Sequence, residues 1–97
     1  MREKTIERKF VNEVKKLGGL CPKFVSPGFD GMPDRLVLLP DGYIAFVEVK
    51  SMGCKPRALQ VTRHKQLRQL GFRVYVLDDT DQIQKIISEM GCEPDGT

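Results

Sequence analysis

The sequence predicts an α/β fold, a single domain with a central mixed β-sheet flanked by helices, in the element order α-β-β-β-α-β-α. Apolar residues recur at helical spacing in three segments, and short apolar runs bounded by glycine and proline lie between them. A chain of 97 residues, 40% apolar and 30% charged, suits one globular domain with one core. We assign this domain to residues 1–91 and expect a disordered tail over residues 92–97.

The N-terminal third predicts a helix, a strand and a loop. Five apolar residues between Ile6 and Leu17 share a helical face, and Gly18-Gly19 follows where a helix C-cap is expected. Leu20 to Val25 is a short apolar stretch typical of a strand. Two prolines and two glycines in residues 26–33 then indicate an irregular loop, which leads into Asp34.

The centre of the chain predicts a β-hairpin. Two apolar runs, Arg35 to Leu39 and Tyr43 to Lys50, flank the turn sequence Pro40-Asp41-Gly42. Asp34 therefore opens one arm of the hairpin and Glu48 closes the other.

The C-terminal half predicts a helix, a strand and a second helix. Pro56 suits the first turn of a helix that Gly71 ends. Residues 73–77 form an apolar run typical of a fourth strand, and residues 80–90 suit a last helix with Asp79 or Thr80 as its cap. In the helix between Pro56 and Gly71, the residues with helical spacing on one face are Leu59, Arg63, Leu67 and Leu70.

Composition excludes several classes of protein. No apolar run approaches the roughly 18 residues of a membrane span, and the charged N-terminus does not resemble a signal peptide, so we expect a cytoplasmic protein without a membrane partner. Cys21, Cys54 and Cys92 are odd in number and widely spaced, which argues against a disulfide frame or a structural zinc site. A net charge of +3 is compatible with nucleic acid but does not demand it.

The pattern acid-x-lysine occurs three times, beginning at Glu7, Glu13 and Glu48. On a helix, side chains two positions apart point about 200° away from each other, whereas on a strand they share one face. Only the copy on the predicted strand, Glu48 with Lys50, can therefore act as a unit. A solvated pair at a strand end is the alternative, because both residue types are mostly exposed.

The hairpin favours a metal site at the end that carries this pair. It brings Asp34 towards Glu48, and a hard divalent cation prefers such oxygen ligands, with the Val49 carbonyl as a further one. The positive charge of Lys50 can orient a water molecule and offset charge on a phosphorane. Mg²⁺ or Mn²⁺ and phosphodiester hydrolysis are the chemistry that this arrangement predicts.

Helix one places an acid where an apolar residue is expected. The helical angle of Glu7 falls within the arc of the apolar face, so its carboxylate should point towards the sheet and need a partner there. We therefore add Glu7 to the candidate catalytic residues and treat it as a possible further metal ligand.

Basic residues concentrate just after the candidate site. Lys55, Arg57 and Arg63 could contact DNA phosphates, with Lys65 and Arg68 adding to the charge, although a merely solvated helix has the same pattern. His64 is the single histidine and invites a general-base role, but we expect it at the surface, as a contact to the DNA backbone.

Three motifs together resemble the VRR-NUC family of the PD-(D/E)xK nuclease superfamily. They are Gly31-Met-Pro-Asp34, Glu48-Val-Lys50 and Lys55-Pro-Arg-Ala-Leu-Gln60, and the similarity spans nearly the whole chain. The resemblance implies a restriction-endonuclease-like core in which Asp34, Glu48 and the Val49 carbonyl bind the metal and Lys50 serves the attacking water. It also implies that Glu7 and Gln60 complete the site. The residue pattern alone does not identify Gln60 as a site residue.

The same resemblance implies a substrate and an assembly. Stand-alone members of the family resemble Holliday-junction resolvases, so it implies a homodimer acting on branched DNA. A restriction- or repair-type nuclease acting on duplex or flap DNA is the alternative within enzymes. A noncatalytic DNA-binding module of the same fold and a purely structural interaction domain are the alternatives from other classes.

Overall fold

The computed structural model describes residues 2–91. It contains three helices and three strands, with short 3₁₀ turns at Pro40–Gly42 and Thr80–Gln82. The elements are α1 (Glu3–Lys16), β1 (Arg35–Leu39), β2 (Tyr43–Val49), α2 (Ala58–Gln69), β3 (Arg73–Leu77) and α3 (Ile83–Glu89). The predicted α/β fold class is confirmed, while the tail at residues 92–97 lies outside the described residues.

The sheet is mixed and has the strand order β1-β2-β3. β1 and β2 are antiparallel with Arg35 opposite Val47, as the predicted hairpin requires, and Asp41 in the turn has a positive φ of 72°. β2 and β3 are parallel, with Glu48 opposite Val76. A parallel pair needs a crossover connection, and α2 supplies it.

Helices cover both faces of the sheet. Because successive strand residues point to opposite faces, β2 sends Ala45, Val47 and Val49 to one face and Phe46 and Glu48 to the other. The first face packs against α1 and α3 in the main hydrophobic core, and the second packs against α2 in a smaller one. The candidate site residue Glu48 thus lies on the α2 face.

The stretch Leu20 to Val25 is the main difference from the predicted elements. It runs antiparallel to β1 but forms only two isolated bridges, at Leu20 and Lys23, rather than a strand. Pro22 is the physical reason, because its carbonyl accepts the Leu36 N–H but it has no N–H to return. We call residues 20–25 the edge segment.

α2 begins later and buries a different face than predicted. Pro56 precedes the helix, and Arg57 is its N-cap. The predicted helical face is wrong at Leu59 and Leu70, which are 45% and 74% exposed, and right at Leu67, which is buried. The other buried positions of α2 are Gln60 and His64, so the face that packs against the sheet is largely polar.

The C-terminal elements follow the predicted pattern. Asp79 caps the 3₁₀ turn that leads into α3, and Ile83, Ile86, Ile87 and Met90 are buried. Within residues 2–91, Cys21 is a buried thiol and Cys54 an exposed one, and neither is in a disulfide. No helix among these residues is long and apolar enough to cross a membrane.

Candidate active site

Glu48 is the centre of the candidate site. Its side chain is fully buried, although it carries a carboxylate. Gln60 Nε2 donates to its Oε2 at 3.2 Å, and His64 Nε2 lies 3.3 Å from its Oε1. Two side chains on successive turns of α2 therefore hold both carboxylate oxygens in fixed positions.

Asp34 lies beside Glu48 because the Asp34 side chain continues the hydrogen bonding between β1 and β2 by one residue. Its Oδ2 accepts the Val49 N–H at 2.9 Å. If the β1–β2 register is continued, Val49 faces Pro33, which has no N–H to donate to the Val49 carbonyl. Since the N–H and C=O of a strand residue point to the same edge, this carbonyl faces the side on which Asp34 lies.

Lys50 lies on the same side of the sheet as Glu48. Its Nζ is 3.7 Å from Glu48 Oε2, and its side chain is 17% exposed. This distance is longer than a charge-assisted hydrogen bond. The ammonium group is thus held near the carboxylates while part of it remains accessible to water.

The electrostatics of the site reflect two carboxylates in a buried position. Burial, and then the adjacent Asp34 carboxylate, raise the pKa of Glu48 to about 8, which Lys50 opposes. Burial, Arg68 and Lys50 lower the pKa of His64, which favours the neutral imidazole. Its contact with Glu48 is therefore a hydrogen bond rather than an ion pair, in which the Nε2–H tautomer donates to Oε1 when Glu48 is ionised.

Gln60 joins the site to the start of α2. Its Oε1 accepts the Arg57 N–H at 2.8 Å, which caps the helix, while its Nε2 donates to Glu48. Gln60 also lines an open cavity of about 370 Å³ together with Arg57 and Asp30. The amide therefore links the buried carboxylate to an accessible surface.

The expectation that His64 lies at the surface is wrong. It is only 2% exposed, so its position does not suit the predicted contact with a DNA backbone. The sequence carried a signal for this position, since Gln60, His64 and Leu67 follow the helical spacing i, i+4, i+7. The apolar residues of α2 alone do not reveal this polar face.

Glu7 has a partner, but the structure does not bring it to Glu48. Its Oε2 accepts from Arg35 Nε at 2.8 Å, and Arg35 also donates to the Cys21 carbonyl. Arg35 pairs with Val47 in the sheet, so this ion pair lies on the α1 face, opposite to Glu48. The helical-face argument correctly predicted that Glu7 needs a partner and wrongly placed that partner in the carboxylate cluster.

The predicted phosphate-binding residues differ in their surroundings. Lys55 and Arg57 are exposed, and Arg57 lies beside the candidate site through the hydrogen bond from its N–H to Gln60. Arg63 is engaged within the protein: its Nε donates to the Asp30 carbonyl at 2.7 Å, and its guanidinium stacks on Phe29 at 3.8 Å. Arg63 thus anchors the loop before Asp34 to α2.

Gly31 shows how closely that loop packs on the helix. Its φ is +89°, and a Cβ atom at this position would lie 2.8 Å from Leu59 Cγ. A side chain here would push the loop away from α2. Gly31 therefore helps to fix the chain that enters Asp34.

The side chains that converge on the candidate site include two potential anionic ligands. Among residues 2–91, no group of three His, Cys, Asp or Glu side chains is arranged to hold a metal ion. A cation at this site would therefore rest on Asp34, Glu48 and a main-chain oxygen. Such an all-oxygen set suits Mg²⁺ or Mn²⁺ rather than zinc.

Fold and site together define the class, a restriction-endonuclease-like α/β domain with acid-x-lysine at a strand end. No protein-family model matches the chain. A protein named "Putative nuclease p44", from Acyrthosiphon pisum secondary endosymbiont phage 1, is 53% identical over 81 residues, which are 84% of this chain and 87% of that protein. A solved structure described as a VRR_NUC domain is 36% identical, with a TM-score of 0.83 over 89% of this chain and 94% of that one. The chain belongs to the VRR-NUC family of nucleases.

Proposed function

We propose that this nuclease is a metal-dependent endonuclease that hydrolyses DNA phosphodiester bonds at Asp34, Glu48 and Lys50. One observation carries the proposal: β2 and the residue before β1 bring two carboxylates and a lysine together at one end of the sheet. Placing Glu48 in the interior is unfavourable for folding, as its raised pKa indicates. A structural role alone gives no reason for burying this carboxylate.

The residues present fit a divalent cation. Asp34 Oδ2 is occupied by the Val49 N–H, which leaves Oδ1, and the strand ladder gives the Val49 carbonyl no donor at Pro33. The positive charge nearest to Glu48 is Lys50, at 3.7 Å. A cation held by Asp34, Glu48 and the Val49 carbonyl would neutralise the repulsion between the two carboxylates.

The side chains have separate tasks in this mechanism. When bound, the Mg²⁺ or Mn²⁺ ion supplies Lewis acidity for a phosphate oxygen and for water. Lys50 orients the attacking water and offsets the negative charge that develops on phosphorus. Gln60 and His64 keep the Glu48 carboxylate in one orientation, so they position a ligand and do not themselves contact the phosphate. Lys55 and Arg57 place the DNA backbone over the cavity beside Gln60.

We also propose a homodimer that acts on branched DNA such as a Holliday junction. One site cuts one strand, and two-fold pairing sets two sites against two symmetric strands. Exposed apolar side chains near α2, among them Phe29 at 47% and Leu70 at 74%, offer area for a second copy. Duplex or flap DNA is the alternative substrate, and a noncatalytic DNA-binding module is the alternative function.

Cleavage of labelled linear, flap and four-way DNA, with and without Mn²⁺, tests this function. We expect metal-dependent cutting, strongest on the four-way DNA, and a loss on the order of 10²-fold or more in Lys50→Ala because its charge meets the transition state. Calorimetric titration should show Mn²⁺ binding that Asp34→Asn abolishes. Binding of DNA without cutting under any condition would favour the noncatalytic module.

A further inference from the structure

We propose that a second basic surface, on the face of the sheet opposite to α2, binds the sugar-phosphate backbone of DNA away from the scissile bond. This surface is a groove of about 380 Å³ between α1 and the edge segment. We call it the α1 groove. Its charged residues are Lys4, Glu7, Arg8, Lys15, Lys23 and Arg35. The proposal rests on DNA being the substrate of the candidate active site.

The α1 groove holds a concentrated surplus of positive charge. Five cations and one carboxylate line it, a surplus of four, which exceeds the net charge of +3 for the whole chain. The carboxylate of Glu7 is already paired with Arg35 at 2.8 Å. Within residues 2–91 the other four cations form no ion pair, so their charge is available to an anionic partner.

Three of the five cations in α1 lie along one line of the helix. Lys4, Arg8 and Lys15 follow the spacing i, i+4, i+11, which places all three within about 40° of one another around the helix. Eleven residues at 1.5 Å each span about 17 Å along the axis. Phosphates of one DNA strand rise about 3.4 Å apart along the duplex axis, so a line of this length spans several phosphates rather than one. An extended polyanion fits this line better than a single small anion does.

The α1 groove begins next to the candidate active site. Arg35, at its inner end, directly follows Asp34 in the chain, and Lys23 of the edge segment bridges to Arg35. Consecutive residues point to opposite faces of a sheet, so Asp34 serves the α2 side and Arg35 the α1 side. DNA that enters the cavity beside Gln60 can therefore pass the sheet edge and continue along α1. Contacts along the α1 groove would enlarge the DNA-binding surface, which is small on the α2 side alone.

A matched pair of double variants tests the α1 groove. Lys15→Gln with Lys23→Gln removes two groove charges. Lys16→Gln with Lys85→Gln removes two charges elsewhere, from side chains that are 73% and 78% exposed. Arg35 stays unchanged, so the Glu7 ion pair is preserved. Both variants carry the same net charge, and Lys16 and Lys85 are paired with Glu13 and Glu89, so a difference between the variants reports the position and pairing of the lost charges rather than the total charge.

Affinity is measured by fluorescence anisotropy on a duplex of about 30 base pairs in EDTA, from about 50 to 200 mM NaCl. Each lost phosphate contact lowers the slope of log affinity against log salt by about 0.9, so the groove variant should lose about 1.8 and bind roughly tenfold to a hundredfold more weakly at 0.1 M salt. The control variant should stay close to the wild type.

The outcomes separate this proposal from the proposed function. Equal salt slopes in the groove and control variants overturn the α1 groove, while metal-dependent cutting that is lost in Lys50→Ala still supports the nuclease site. A protein that neither binds nor cuts DNA overturns both. Circular dichroism of the two variants confirms that the folds compared are the same.

Discussion

Replacing Glu48 by glutamine should stabilise the metal-free protein at neutral and alkaline pH, although it removes a proposed metal ligand. The amide keeps the size of the carboxylate. Gln60 can still donate to its oxygen, and its new NH₂ group can donate to His64 Nε2 in the other imidazole tautomer. The substitution therefore removes a buried charge without leaving a buried polar atom unpaired.

The size of this effect follows from the pKa of Glu48. Its rise from 4.5 to about 8 corresponds to roughly 5 kcal/mol, at about 1.4 kcal/mol for each tenfold change in proton affinity. The folded state binds the proton more tightly than the unfolded state. The stability contribution is thus fully present below pH 4.5 and is lost as the pH rises through about 8. At pH 7 roughly 3 kcal/mol of it is already lost, a large share of the free energy of unfolding of an ordinary domain.

Urea unfolding of the wild type and Glu48→Gln at pH 5, 7 and 8.5 in EDTA measures the difference directly. The advantage of the variant should grow with each step in pH, and Mn²⁺ should restore stability to the wild type alone. Glu13→Gln is the control: Lys16 lowers the pKa of Glu13, so the contribution of this carboxylate to stability is lost only as the pH falls below its usual pKa, and the effect of the substitution should stay constant from pH 5 to 8.5. An advantage of Glu48→Gln that stays constant across this range would refute the reasoning.

Three further changes test how the candidate site is supported. His64→Leu removes the hydrogen-bond partner of Glu48 Oε1 and should weaken Mn²⁺ binding by roughly 10- to 100-fold, with recovery in His64→Gln, whose amide nitrogen reaches the position of Nε2, as followed by calorimetry. Pro33→Ala introduces an N–H that can pair with the Val49 carbonyl and should weaken Mn²⁺ binding by up to roughly tenfold, whereas unchanged affinity would exclude this carbonyl as a ligand. Gly31→Ala should lower the free energy of unfolding by roughly 1–3 kcal/mol in a urea titration, because its φ of +89° strains any side chain.

The hairpin and its active pair were predictable because they depend on local rules. A strand puts Glu48 and Lys50 on one face, and the turn sequence after Leu39 sets the register that brings Asp34 close. These features need no knowledge of the rest of the fold. The edge segment was not predictable in the same way, since Leu20 to Val25 has the apolar character of a strand. Only its pairing with β1 shows that Pro22, which lacks an N–H, cannot complete a continuous strand ladder.

The surroundings of the carboxylates needed the tertiary structure. The helical periodicity of α1 predicts that Glu7 faces the sheet. It does not reveal that Glu7 pairs with Arg35 there, on the sheet face opposite to Glu48. In α2 the rule that apolar residues face inward selected the wrong side of the helix. Gln60 and His64 face inward because a buried carboxylate satisfies their donors, and that carboxylate lies in another element.

The two faces of the sheet divide stability and chemistry between them. Among residues 2–91, the α1 and α3 face buries a core of fourteen residues, whereas the buried apolar cluster on the α2 face consists of Phe46, Leu67 and Val74. Polar groups occupy the rest of the α2 face, where Gln60 and His64 surround Glu48. Because apolar burial on the first face supplies most of the stability, the second can hold an unfavourable buried carboxylate at a defined position. The same division explains why stabilising Glu48→Gln should leave the fold intact while removing cleavage: the main apolar core and the carboxylate of the proposed metal site lie on opposite sides of one strand.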